Sequence, residues 1–102
     1  MGDLMLGRLV NERLKSEALL YVWGDTLPIL RGAQVRIANL ECVITDKTEK
    51  SKTAKPFYFR SDLKNVSVLT GGGVNVVSLA NNHILDFGED GMKDCILALK
   101  KA

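Results

Sequence analysis

An α/β fold, with a mainly parallel sheet flanked by helices and a short antiparallel excursion, is predicted by three features of this 102-residue sequence. Two short apolar runs, Gln34–Leu40 and Val74–Ala80, have the length and branched content of strands. Stretches with apolar residues three or four apart alternate with them, the order expected when helices connect parallel strands. Glycines, prolines and an Asn-Asn pair punctuate the boundaries.

Taken in order, Leu9, Val10, Leu14, Ala18, Leu19 and Tyr21 fall mostly at helical spacing among polar residues, predicting an amphipathic helix over 9–21. Gly24-Asp25-Thr26 breaks it. Asp25 or Thr26 then caps a short helix through Leu30, with Pro28 in the first turn, where proline is tolerated, and Gly32 as the stop. The strand Gln34–Leu40 leads to Asn39 and Glu41, and Cys42–Thr45 continues extended into a lysine-rich loop, Lys47 to Lys55. Pro56–Arg60 reads as its aromatic return limb, paired antiparallel with Cys42–Thr45. Ser61 or Asp62 caps a helix carrying Leu63, Val66 and Leu69, which Gly71-Gly72-Gly73 ends. Those glycines do not form a phosphate loop, because no Gly-Lys-Ser/Thr follows and the run precedes a strand. Val74–Ala80 is an apolar strand expected to be covered on both faces. Glu89 and Asp90 open a last helix whose Met92, Cys95, Ile96 and Leu99 share one face, and Lys100 and Lys101 suit its C-terminal end.

Hydrophobic residues make up 46% and charged residues 25%, which excludes wholesale disorder and fibrous repeats. A formal charge of +2 is too small to argue for nucleic acid. Cys42 and Cys95 are far apart, without a C-x-x-C pair or a second histidine for zinc, and read as buried thiols. No apolar run approaches the roughly 18 residues of a membrane span. MGDLMLGR lacks the order of a signal peptide, and MGDLML lacks a myristoylation signal's Ser or Thr. The chain as given is expected to be soluble, cytoplasmic by default and a single domain.

In open parallel sheets ligands gather beyond the carboxyl ends of the strands. Asn39 and Glu41 follow one such end, Asn81, Asn82 and His83 follow another, and Asp3 stands at the start of the chain. Carboxylates, amides and one imidazole on a common rim suit a divalent metal, with histidine as ligand or proton donor. Each residue also has a structural reading. Asn81 and Asn82 are good turn residues, His83 can be a satisfied core histidine, and Asp86 can hold the turn into the last helix by accepting backbone amides.

Four ordered stretches, Gly2–Arg8, Ile37–Glu41, Lys55–Arg60 and Val76–Gly88, resemble the motifs of the CapA-like family. These are the bacterial poly-γ-glutamate capsule synthesis proteins, a branch of the calcineurin-like metallophosphatase superfamily. The resemblance implies a metallophosphatase-like sandwich around one or two divalent metals, whether Mn, Fe, Zn or Mg. By position Asp3 resembles the first-strand ligand, Asn39 and Glu41 the second strand's site positions, and Asn82 the asparagine ligand. His83 resembles the general acid or transition-state stabiliser, and Asn81 and Asp86 would support the site.

The chain also departs from the family pattern. Gly2-Asp3 follows Met1 directly, so the apolar entry strand is expected to be missing, and the later histidine motifs that complete the metal site are absent. The expectation is therefore a partial domain covering the N-terminal third to half of the family's fold, with a partial metal site and little or no activity alone. An alternative is a non-catalytic module that binds polyanionic capsule polymer or a capsule-synthesis subunit through the Lys47–Lys55 loop. Open sheet edges further imply a homo-oligomer, in the first instance a dimer.

Overall fold

A computed structural model describes residues 1–102 as an α/β molecule with two parallel sheets. In chain order the elements are β1 (Asp3–Leu4), α1 (Arg8–Arg13), α2 (Leu27–Gly32), β2 (Ile37–Leu40), β3 (Val43–Ile44), β4 (Arg60–Ser61), α3 (Val66–Gly71), β5 (Val76–Ser78) and α4 (Gly88–Lys101). Turns of 3-10 helix at Tyr21–Thr26 and Leu63–Asn65 lead into α2 and α3.

The main sheet has the order β1-β2-β5, all parallel. Asp3 pairs in register with Asn39, and Asn39 with Ser78, so these three residues stand level across the sheet. Side chains alternate along β2: Ala38 and Leu40 are buried, whereas Ile37 is 54% exposed. Val76, the register partner of Ile37, is 52% exposed, so β5 is not covered on both faces. The apolar run of β5 therefore packs one partly buried face, with Val74, Val77 and Leu79 against the core, and leaves the other open.

Asp3 and Leu4 themselves form a short first strand, although no strand enters Gly2-Asp3 from the N-terminal side. Two residues, Asp3 and Leu4, pair with Asn39 and Leu40 and hold Asp3 at the sheet's rim. The excursion pairs differently from expectation: Val43 matches Arg60 and Ile44 matches Ser61 in a parallel ladder. Residues 45–59 are long enough to carry the chain back to the start of β3, so an antiparallel return is not required.

The amphipathic reading of 9–21 holds only to Arg13. Leu14 caps α1 and is buried, but Leu9 is 79%, Leu19 38% and Tyr21 52% exposed, so no continuous apolar face rewards further helix. The core joins Leu6, Leu14, Trp23, Leu40, Cys42, Val43, Ile44, Val68, Leu69 and Cys95. Both cysteines are buried free thiols, and burial pushes Cys42 up to about 12. Trp23 donates its indole N–H to the carbonyl of Val68 at 2.8 Å, tying the segment before α2 to α3. α4 packs on β3, and Thr45 Oγ1 donates to Asp94 Oδ2 at 2.8 Å.

Candidate functional site at the strand ends

Parallel pairing alone brings Asp3, Asn39 and Glu41 to one rim, because residues 39 and 41 lie two apart on an extended chain and share a side. The Asn39 amide joins the two acids. Its Nδ2 donates to Asp3 Oδ1 at 2.9 Å and also to Glu41 Oε2. Asn81 adds the third strand end: its Nδ2 donates to Asn39 Oδ1 at 3.0 Å and to the Leu40 carbonyl at 2.9 Å. Asn81 Oδ1 in turn accepts the backbone N–H of His83 at 3.0 Å. Thus Asn81 is a turn residue and a cross-link at once, fixing where His83 leaves the turn.

His83 is 8% exposed and held on three sides. Its Nδ1 lies 2.6 Å from Asp86 Oδ2, its ring stacks on Phe59 at 4.0 Å between centroids, and its Nε2 faces Glu41 Oε1 at 3.9 Å. An ionised carboxylate only accepts, so Nδ1 carries the proton and Nε2 is directed at the rim. This is the arrangement that orients a histidine which uses its other nitrogen.

Asp86 is 1% exposed yet charged. Burial opposes the charge, but hydrogen bonds from Lys55, His83 and the Phe59 amide outweigh it and hold the carboxyl below the usual carboxylate range. Phe59 N donates to Oδ2 at 2.8 Å, and Lys55 Nζ donates to Oδ1 and to the Asn82 carbonyl. Asp86 accepts a backbone amide, though from the distant loop rather than from its own turn. Lys55 and Phe59 are the contributors that sequence reasoning missed as site residues, and the Lys-Pro-Phe-Tyr-Phe stretch was their only signal.

Asn82 is the expected ligand not tied into the rim: it is exposed, and only its backbone carbonyl is engaged, by Lys55. Asp3 reaches the rim but is exposed, and no group of three or more His, Cys, Asp or Glu side chains is placed to hold a metal ion. In kind the donors fit a hard divalent cation, since two carboxylates, amide carbonyls and an imidazole nitrogen share the rim. In number they fall short of a closed shell.

The bacterial capsule synthesis protein family PGA_cap matches residues 1–102. The chain belongs to that family. It is 33% identical over 104 residues to the capsule biosynthesis protein CapA of Bacillus anthracis, covering 100% of this chain and 25% of that protein. A probable polyglutamine synthesis accessory protein of Mycobacterium tuberculosis strain H37Rv is 42% identical over 134 residues, covering 99% of the chain and 35% of the relative. The PGA biosynthesis protein CapA of Bacillus subtilis is 28% identical over 96 residues, covering 94% and 25%. The chain thus spans about a quarter to a third of these PGA_cap relatives. No helix is long and apolar enough to cross a membrane.

Proposed function

We propose that this chain serves poly-γ-glutamate capsule biosynthesis as one partial domain that carries part of a metallophosphatase-type divalent-metal site. One observation carries the reading: Asp3, Asn39, Glu41, Asn81 and His83 form a connected polar network at the ends of three parallel strands. Asp3, Glu41, Asn82 and His83 Nε2 would hold the metal, and Asn39 and Asn81 would fix their spacing. A bound divalent ion supplies charge stabilisation for a phosphoryl group and a more acidic water. The chain's own contribution is positional. Asp86 holds the His83 proton on Nδ1, leaving Nε2 to accept or donate a proton at the rim, and Phe59 covers the ring against water.

Because the donor set is incomplete, the chain alone is expected to be weakly active or inactive. Titration with Mn2+ should give weak binding that Glu41→Gln and His83→Ala each reduce. Enzyme-like hydrolysis of a phosphodiester with Mn2+, abolished by His83→Ala, would overturn the inactive half of the proposal. A further part of the reading is self-association into a dimer, supported by exposed Val35, Ile37 and Val76 at 63%, 54% and 52%. Sedimentation equilibrium that stays monomeric at high concentration would count against it.

The alternative, a polyanion-binding module, draws on exposed Lys47, Lys50 and Lys52. These lysines share their shallow depression with Glu49, Glu89 and Asp90, and Lys55 is committed to Asp86. The loop is therefore mixed in charge, and steep loss of polymer binding with salt is the result that would favour this reading.

A further inference from the structure

Arg8 is the only non-glycine residue with a positive φ, at 51°. Left-handed backbone disfavours every side chain with a Cβ, and such strain concentrates where a side chain is needed in a particular place. A glycine stands next to it, but Gly7 has φ −90° and is small for another reason: a Cβ there would lie 2.9 Å from the Arg60 carbonyl oxygen. The chain thus puts its glycine at the close approach and an arginine at the strained position.

That position aims Arg8 across Phe57, with Cζ 4.8 Å from the ring centroid. Phe57 stacks on Phe59 at 6.2 Å, and Phe59 stacks on His83 at 4.0 Å. A continuous stack therefore runs from the strand-end site to an exposed guanidinium. Each of the other arginines is engaged with oxygen: Arg13 with Glu17, Arg31 with the Gly71 carbonyl, Arg36 with the Gly73 carbonyl and Arg60 with Asp62. Arg8 has only the aromatic face. Stacking occupies the plane of a guanidinium and leaves its edge N–H groups free for a planar oxyanion.

We propose that Arg8 is an oxyanion-binding residue at the outer end of the Phe57–Phe59–His83 stack, gripping a carboxylate or phosphoryl group of a ligand that reaches the strand-end site. The inference rests on the proposed function only for the choice of polymer probe. It is tested by calorimetric titration in EDTA with poly-γ-glutamate of defined length and, separately, with inorganic phosphate. Removing metal keeps the test independent of whether the metal reading stands.

Arg8→Gly should lose roughly tenfold or more in affinity, the scale of a charge-assisted contact, while its Tm stays the same or rises, because glycine relieves the left-handed backbone. A loss confined to the polymer assigns the contact to carboxylate, and one confined to phosphate assigns it to a phosphoryl group. Wild-type affinity in Arg8→Gly for both probes, binding of neither probe by the wild type, or a lost affinity that comes with a fallen Tm would overturn it. Should Arg8→Gly not fold, Arg8→Lys decides: a several-fold loss supports the forked contact, and wild-type affinity overturns it.

Discussion

His83 and Asp86 sit one turn apart with Nδ1 and Oδ2 separated by 2.6 Å, and the aspartate that orients the histidine is itself held by a lysine and a backbone amide from a distant loop. Asp86→Asn keeps the shape but leaves the Lys55 ammonium without its counter-charge. Removing one member of a buried pair is costly, and partial exposure of Lys55 moderates it, so a loss of about 2–4 kcal/mol in urea unfolding is expected.

The same pair sets an acid limb. The folded-state pKa of Asp86 lies below its unfolded value, so its contribution is complete above about pH 4 and disappears as pH falls through the lowered value. Wild-type stability should therefore fall more steeply than that of Asp86→Asn as pH drops below about 4. Parallel curves would assign the acid sensitivity to other carboxylates.

Asn39 donates one amide nitrogen to two acids, which keeps Asp3 and Glu41 together without a cation. Asn39→Asp replaces that donor with a third carboxylate. Without metal the variant should lose about 1–2 kcal/mol, and Mn2+ should raise its Tm more than it raises that of the wild type. Equal shifts in both proteins would separate this network from cation binding.

Gly72 seats the indole of Trp23: a Cβ there would lie 2.6 Å from Trp23 Cε2. Gly72→Ala should cost about 1–3 kcal/mol by overpacking and shift the emission of the single tryptophan to the red. Unchanged stability with unchanged emission would mean that the indole yields without loss.

Gly7→Ala drives a methyl group against the Arg60 backbone, whereas a Cβ at Gly2 meets nothing within 4 Å. The first should destabilise by about 1–3 kcal/mol in thermal melts and the second by much less. Similar melts for the two would show that the β1–α1 turn can move away from β4.

Much of the sheet was legible because branched apolar residues in β2 and β5 are bounded by turn residues, and the strand-end rule then placed Asn39, Glu41 and Asn81 together. The ladder between Val43–Ile44 and Arg60–Ser61 was misread in direction, since composition says nothing about orientation and the loop length permits either. Helical spacing past Leu14 also misled, because periodic apolar residues make a helix only when a core meets them, and Leu19 and Tyr21 meet solvent. In the site, Asp86 was recognised as an acceptor but not as the group orienting His83. Lys55 and Phe59 could not be assigned, because their role exists only once a distant loop folds over the strand ends.

That loop has two regimes. Lys55, Phe57 and Phe59 are fixed by partners at the site, while residues 47–50 are exposed. Because loop-closure entropy rises only slowly with length, the exposed part can be lengthened or rewritten with little strain on the clamp around His83. Variation in this segment is thereby uncoupled from the geometry of the site, and new recognition surfaces can be tried there while the histidine stays in place.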